Sequence, residues 1–361
     1  MSSKIIQLVR HPLRNKGGIE IVAREIHLQI VSPCKGTTYS LCSIDQSSII
    51  KDLNECSLLS FDLFKLKLPF PSFKLFDFIK QLRHSSHVIV HFPDPYFALV
   101  SFLFATTNNT KLIVFWHADH GRSGIFSFLL SHLEKLCLSK SYRIICTSPK
   151  LAKESSSIGK YCRKIATVPL FCDPPWQPEI RSYEQRKYDC IYVGRVESYK
   201  NIKLLIDDFI LSNARTLAIA GSGRDLTYFR EYARKLCGPD KVITFYGLVS
   251  DSIKYHLLCN SRIFILSSTR KAEAFGIVQC EAFSCGTPVL SYNIEGSGVS
   301  WVNINGVTGF TPQIKFESHF NYINKLLDPQ LWHKFSRNCL NRSRVFTKKN
   351  FDSNISNIFN T

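Results

Sequence analysis

The chain has 361 residues, 45% of them hydrophobic and 20% charged, a composition of folded protein that excludes wholesale disorder. Its length exceeds what one hydrophobic core usually organises, so two domains are expected. With 46 Lys and Arg against 28 Asp and Glu the formal charge is +18, which favours nucleic acid, anionic lipid or a nucleotide-bearing substrate without choosing among them.

The opening "MSSKIIQLVRHP" breaks its apolar run at Arg10 and Pro12, leaving neither a signal-peptide core nor a cleavage site, so a cytoplasmic location is expected. Stretches such as "YFALV" and "FLFA" fall far short of the roughly 20 apolar residues of a spanning helix, and no transmembrane segment is expected. Short β-rich runs then recur with helix-length segments between them: "KIIQLV", "HVIVHF", "KLIVFW", "YRIICT", "YDCIYVG", "TLAIAG", "VITFYG", "RIFILS" and "TPVLSY". This alternation predicts parallel sheets covered by helices, an α/β architecture. The series breaks once, at the proline- and charge-rich "PLFCDPPWQPEIRSYEQRKY". Two doubly wound domains follow, 1–170 and 188–340, with a linker at 171–187 and a tail at 341–361.

Between Phe61 and His84 six phenylalanines mix with five Lys or Arg. Leu75, Phe78, Ile79 and Leu82 repeat at the spacing of an amphipathic helix, predicting one face on the core. The other face offers basic and aromatic side chains to an anionic bilayer. The 13 cysteines are odd in number and contain no C-x-x-C pair, so buried free thiols are expected. His84, His87 and His91 form one histidine group and His117 with His120 another, but neither has a complete ligand set, and no metal site is expected.

In doubly wound sheets ligands bind beyond the carboxyl ends of the strands, so the loops there are the places to search. The loop "SSTRKAEAFG" precedes a helix read from "FGIVQCEAFSCG", closed by Gly286. Glu273 falls in the loop and Glu281 about a turn and a half inside the helix, too far apart to share a proton. The helix N-terminus near Phe275, Gly276 and Ile277 exposes unpaired N–H groups that suit phosphate, and Gly276 permits close approach. A ligand with hydroxyls at both ends and phosphates between is a nucleotide sugar: Glu273 for the hexose, Glu281 for the ribose. In "YVGRVESYKN", Arg195 and Lys200 supply cations for a diphosphate and for its departure. The glycines Gly17 and Gly18 of "NKGGIE" open a helix where backbone can approach a phosphate or an acceptor.

These residues resemble family 4 of the retaining glycosyltransferases, which share the two-domain GT-B fold. The correspondence runs in order through "KGGIE", "FWHADHGRSG", "TSPKLA", "VGRVESYKN", "AGSGRDL", "FYGLVS" and "EAFGIVQCEAFSCGTPVL". The continuation "GSGVSWVNINGVTGF" is similar to bacterial mannosyltransferases that build O-antigen and related polysaccharides from GDP-mannose. The resemblance implies two Rossmann-like domains facing across a cleft, with a C-terminal helix returning to the N-terminal, acceptor-binding domain; the C-terminal domain would bind the donor. It implies that Arg195 and Lys200 meet the donor diphosphate, Glu273 the transferred sugar and Glu281 the ribose. His117 would lie beside the sugar, Gly17 and Gly18 would line the cleft, and Asp119, in the acidic position of the family's "W-H-S-D" element, would be a sugar or acceptor contact. Asn201 stands where many members carry Gly, and Ala118 where Ser is common; neither change removes a charge.

The implied activity is transfer of a hexose, mannose from GDP-mannose, with retention of configuration, to a lipid-linked oligosaccharide on the cytoplasmic face of the plasma membrane. No dedicated nucleophile and no D-x-D motif is evident, so neither a cofactor nor an essential metal is expected. A UDP-sugar donor is the alternative within the family. A basic nucleic-acid-binding protein is the alternative from another class, but helix-turn-helix, zinc-finger and RRM signatures are absent, and nucleic acid is not the expected partner. The oligomeric state is not readable from the sequence.

Overall fold

The computed structural model describes residues 4–15, 18–42, 54–63, 66–69, 73–107, 110–119, 125–313 and 319–359. The chain divides into two compact units, Met1–Val168 with Asp352–Thr361, and Pro169–Phe351.

The first unit contains β1 (Ile5–Val9), β2 (Thr37–Cys42), β3 (Glu55–Leu63), β4 (Leu66–Pro69), β5 (His87–Phe92), β6 (Lys111–Trp116), β7 (Arg143–Cys146) and β8 (Ile165–Thr167). Their order is β4-β3-β2-β1-β5-β6-β7-β8, parallel except where β4 folds back on β3. Alternation assigns the faces. Ile6 and Leu8 of β1, Val88, Val90 and Phe92 of β5, and Leu112, Val114 and Trp116 of β6 enter one apolar cluster. Gln7, His91 and Phe115 therefore project to the other face, toward the helix Gly18–Ile26. Gln7 lies beside Thr38 on one neighbouring strand and Ile89 on the other.

The second unit contains β9 (Tyr188–Val193), β10 (Thr216–Ala220), β11 (Val242–Gly247), β12 (Ser261–Leu266), β13 (Val289–Ser291) and β14 (Gly309–Phe310), ordered β11-β10-β9-β12-β13-β14. All its ladders are parallel. Both faces are apolar, as buried parallel strands require: Cys190, Leu217 and Ile263 enter one cluster, and their neighbours Ile191, Ala218 and Phe264 the other. Strand order reverses between β9 and β12, which makes the loops leaving those two strands the natural ligand site.

Two boundaries differ from the sequence expectation. Residues 171–187 belong to the second unit, because Arg186 is buried within it. Its guanidinium donates to Ser261 O and Thr287 Oγ1, each at 2.7 Å, and to Cys285 O at 2.8 Å, and lies 4.7 Å from the Trp332 ring. The expected tail is divided: residues up to Phe351 belong to the second unit and Asp352–Thr361 to the first. Gln29 Nε2 fixes this last stretch, donating to Asp352 O at 2.8 Å and Ser356 Oγ at 3.2 Å.

The helix Phe73–Arg83 buries Phe78 and Leu82, with Leu75 and Ile79 packed on the same cluster. Its outer face leaves Phe73 94% and Phe76 72% exposed. Lys74, Lys80 and Arg83 are exposed on the same helix. Twelve of the cysteines, from Cys34 and Cys56 through Cys339 and excepting Cys42, are free thiols. No helix among the described residues is long and apolar enough to cross a membrane.

Candidate active site

In the second unit, β9 and β12 deliver the charged residues. After β9 the chain turns through Ser198–Lys200 and caps it with Asn201 in the left-handed region, φ 61°. Asn and Gly are the residues that tolerate this conformation, so Asn201 serves where Gly was the expected alternative. Lys200 Nζ, held there, donates to Glu273 Oε2 from the loop after β12. Ser268 Oγ donates to the same oxygen at 2.9 Å. Ser297 Oγ donates to the backbone O of Glu273 at 2.5 Å and pins the loop. Arg195 is exposed, its guanidinium 5.6 Å from the Tyr199 ring, while Lys200 Nζ lies 5.5 Å from that same ring. Lys200 thus links Glu273 to a pair of cations that share the Tyr199 ring, a residue the sequence reading had not singled out.

The helix carrying Glu281 is shorter than expected, Val278–Ser284, so Glu281 lies only one turn inside it. The cause is Gly276, whose φ of +68° interrupts helical geometry ahead of Ile277. A Cβ there would come within 2.8 Å of Gln279 Nε2 and Leu266 Cδ2, so glycine is required for space as well as conformation. The side chain of Phe275 is buried in the apolar cluster against Trp301 and Phe346. What Phe275, Gly276 and Ile277 offer a ligand is therefore backbone: their N–H groups donate to no described residue.

Glu281 accepts from Lys254 Nζ at 2.8 Å through Oε1, whereas its Oε2 is buried and carries no partner. Burial raises the Glu281 carboxyl above its ordinary range, with Lys254 opposing the rise. Burial acts to lower Lys254, but Glu281 and Asp251 together outweigh it and the ammonium stays above its usual value. An acceptor oxygen withheld from the protein's own donors is an opening for a ligand hydroxyl. Lys254 was missed because it comes from another helix, Asp251–Cys259, with nothing in its local sequence to distinguish it from a surface lysine.

In the first unit Gly18 begins the helix Gly18–Ile26, and a Cβ added there would meet nothing within 4 Å. Gly17, like His120, lies outside the described residues. His117 follows β6 directly and is 8% exposed. Its Nε2 lies 2.9 Å from Nδ1 of His91, so the structure joins two histidines that the sequence had placed in separate groups. Burial drives the His91 imidazole down to about 3 and, with His91 beside it, lowers His117 well below the ordinary histidine value; both are neutral near pH 7. Asp119 departs from its expected role as a sugar or acceptor contact. It is buried, and its oxygens accept from Trp116 Nε1 at 2.9 Å, Ser155 Oγ at 2.5 Å, Ser156 N at 3.1 Å and Ser156 Oγ at 3.4 Å. Four donors saturate the carboxylate, which braces the loop instead of facing a ligand.

Residues 177–344, which contain every charged group of the second-unit cluster, match the family described as Glycosyl transferases group 1. That match spans most of the second unit. A D-rhamnosyltransferase of Pseudomonas aeruginosa, WbpZ, is 27% identical over 287 residues, 76% of this chain and 74% of that protein. Among solved structures, Anabaena Alr3699/HepE in complex with UDP matches with a TM-score of 0.77 at 16% identity, over 99% of each chain. The lipopolysaccharide outer core galactosyltransferase WaaB, apo form, matches with a TM-score of 0.75 at 19% identity, again over 99% of each chain. The fold is thus the GT-B fold, and the group 1 match together with the WbpZ relative supports a glycosyltransferase that draws its sugar from a nucleotide donor.

Proposed function

We propose that this glycosyltransferase is a retaining family 4 hexosyltransferase that transfers mannose or a mannose-configured sugar from a GDP-linked donor to a lipid-linked oligosaccharide during surface polysaccharide synthesis. The observation that carries the donor half of this reading is the segment 273–281. One end is an ion-paired carboxylate beside two cations, the middle is a row of free N–H groups, and the far end is a buried oxygen without a partner. These match, in order, the sugar, the diphosphate and the ribose of one extended ligand. The WbpZ name specifies D-rhamnose, which is 6-deoxy-D-mannose, and this favours a mannose-configured sugar.

In this mechanism the diphosphate departs as an anion. Arg195 and the Lys200 ammonium, oriented by Glu273 and Ser268, stabilise the charge that develops on it, while the N–H groups of 275–277 hold it in place. The acceptor hydroxyl attacks from the same face, and its proton passes to the departing phosphate oxygen. The protein supplies position and charge, with no covalent intermediate required of its side chains. The exposed Phe73 and Phe76, with Lys74, Lys80 and Arg83 on the same helix, support peripheral binding to an anionic membrane, where the lipid-linked acceptor resides.

The test is a donor screen read by mass spectrometry, offering GDP-mannose, GDP-D-rhamnose, UDP-glucose and UDP-galactose with lipid-linked acceptors. Transfer from a GDP-sugar supports the reading. Transfer from a UDP-sugar alone replaces the donor assignment, and no transfer or hydrolysis of any donor overturns the transferase proposal for these substrates.

A further inference from the structure

The face of the first sheet under the helix Gly18–Ile26 carries an unbroken chain of buried polar side chains. Gln7 is 0% exposed and His91 2%. From His27 the links run His27 Nδ1 to Thr38 Oγ1 at 2.7 Å, Thr38 Oγ1 to Gln7 Oε1 at 3.2 Å, Gln7 Nε2 to His91 Nε2 at 2.9 Å, and His91 Nδ1 to His117 Nε2 at 2.9 Å. Gln7 Nε2 also donates to Ala23 O at 2.9 Å.

That last bond fixes the direction of the others. A backbone carbonyl only accepts, so the Gln7 atom facing Ala23 O must be the amide NH₂; the flipped amide would set two acceptor oxygens against each other. The second hydrogen of that NH₂ points to His91 Nε2. An amide nitrogen accepts no hydrogen bond, so His91 Nε2 must be the acceptor and its single proton must be on Nδ1. This Nδ1–H donates to His117 Nε2, which leaves the proton of His117 on its own Nδ1. The rings of His91 and His117 lie within 20° of parallel with centroids 5.2 Å apart, as a side-by-side hydrogen bond requires. Nδ1 of His117 is bonded to no described residue.

We infer that Gln7 and His91 are positioning residues that lock His117 in its Nδ1–H tautomer, so that His117 presents a hydrogen-bond donor, and not a base, beyond the carboxyl end of β6. The functional part rests on the transferase reading above: with its only lone pair committed to His91, His117 can hold an oxygen of a sugar or acceptor but cannot take the proton of the acceptor hydroxyl. That proton must leave by another route, consistent with its passage to the departing phosphate. Burial, which keeps both imidazoles neutral, preserves the lock across the ordinary pH range.

The test begins with long-range ¹H–¹⁵N correlation spectra of histidine-labelled protein, which distinguish Nδ1–H, Nε2–H and cationic imidazole, His117→Asn serving to assign the His117 resonances. The Nδ1–H form at both His91 and His117 near pH 7 is expected. An Nε2–H or cationic His117 overturns the inference. Gln7→Met removes the donor to His91 Nε2 without adding an acceptor or a charge, so His91 is no longer held as Nδ1–H and a mixture of His117 tautomers is expected. The mixture should accompany a fall in kcat of at least threefold, with KM for the donor changed less than threefold. A Gln7→Met spectrum that keeps Nδ1–H alone at His117 contradicts the relay, and a mixture of tautomers with unchanged transfer contradicts its role. The spectra need neither donor nor turnover, so failure of this inference is distinguishable from failure of the transferase reading.

Discussion

Lys200 and Glu273, which follow strands on either side of the point where the second sheet reverses its order, form an ion pair in which each side chain is less than one-fifth exposed. Because each positions the other, their contributions to transfer should not add. Lys200→Ala and Glu273→Gln are each expected to lower kcat by about 10²–10³-fold, the range for removing one preorganised group from a site of developing charge. The double variant should be hardly worse than the poorer single variant. Losses that multiply in the double would show that neither side chain depends on the other for its position.

Gly276→Ala should injure both stability and binding. The backbone at +68° disfavours any side chain, and the new methyl would press on Leu266 and Gln279. A loss of about 1–3 kcal/mol is expected for strain of this kind, read from the urea midpoint. Nucleotide affinity should fall at least tenfold because the N–H groups of 275–277 shift with the strain. Gly238→Ala is the control, since a Cβ there meets nothing within 4 Å.

The buried histidines make the fold sensitive to mild acid. His91, His117 and His27 all have imidazoles lowered by burial, so the unfolded chain binds protons that the folded one refuses. Their contribution is intact above the unfolded value of about 6.5 and is lost as pH falls below it, down to about 3 for His91. Each group unprotonated in the fold should cost about 1.4 kcal/mol per pH unit below about 6.5. Urea unfolding at about pH 7.5 and 5.5 should therefore show lower stability at the acid end. A flat or rising profile would contradict the assignment.

Arg186 should prove structural despite its place in a segment of linker-like composition. Its guanidinium satisfies carbonyls at the carboxyl ends of two helices, Asp251–Cys259 and Val278–Ser284, where a cation is favoured. Burial moves it down to about 10, still protonated at neutral pH. Arg186→Ala leaves those carbonyls without donors and should cost about 3 kcal/mol or more, seen as a lower midpoint for the second unit. Arg186→Lys should recover only part of this, because one ammonium cannot reproduce the planar fork.

Much of the architecture was legible because buried parallel strands are continuous apolar runs. "HVIVHF", "KLIVFW" and "VITFYG" coincide with β5, β6 and β11 residue for residue. Five strands escaped notice, β2, β3, β4, β8 and β14; among them β2 reads "TTYSLC", half polar, and β14 has two residues. Glu273 and Glu281 were visible through their spacing, and Arg195 and Lys200 through their place after a strand. Their partners were not. Lys254 meets Glu281 across 27 positions, and Gln7 meets His91 across 84, so neither pairing leaves a local pattern. Helix length was misjudged at Gly276 because apolar periodicity continues through a residue whose backbone turns the other way. The linker was misjudged at Arg186 because charged composition ordinarily signals solvent, and here the charge is caged by carbonyls.

The central claim is that the segment 273–281, with Arg195 and Lys200, holds a nucleoside diphosphate. Calorimetric titration of GDP and UDP into the wild type, Arg195→Ala and Glu281→Ala tests it most directly. The account predicts a single site in the wild type and affinity weakened about 10–100-fold in either variant, as expected for losing a hydrogen bond to a charged group worth about 1.5–3 kcal/mol. Failure of the wild type to bind either nucleotide, or binding that both variants leave unchanged, would contradict it.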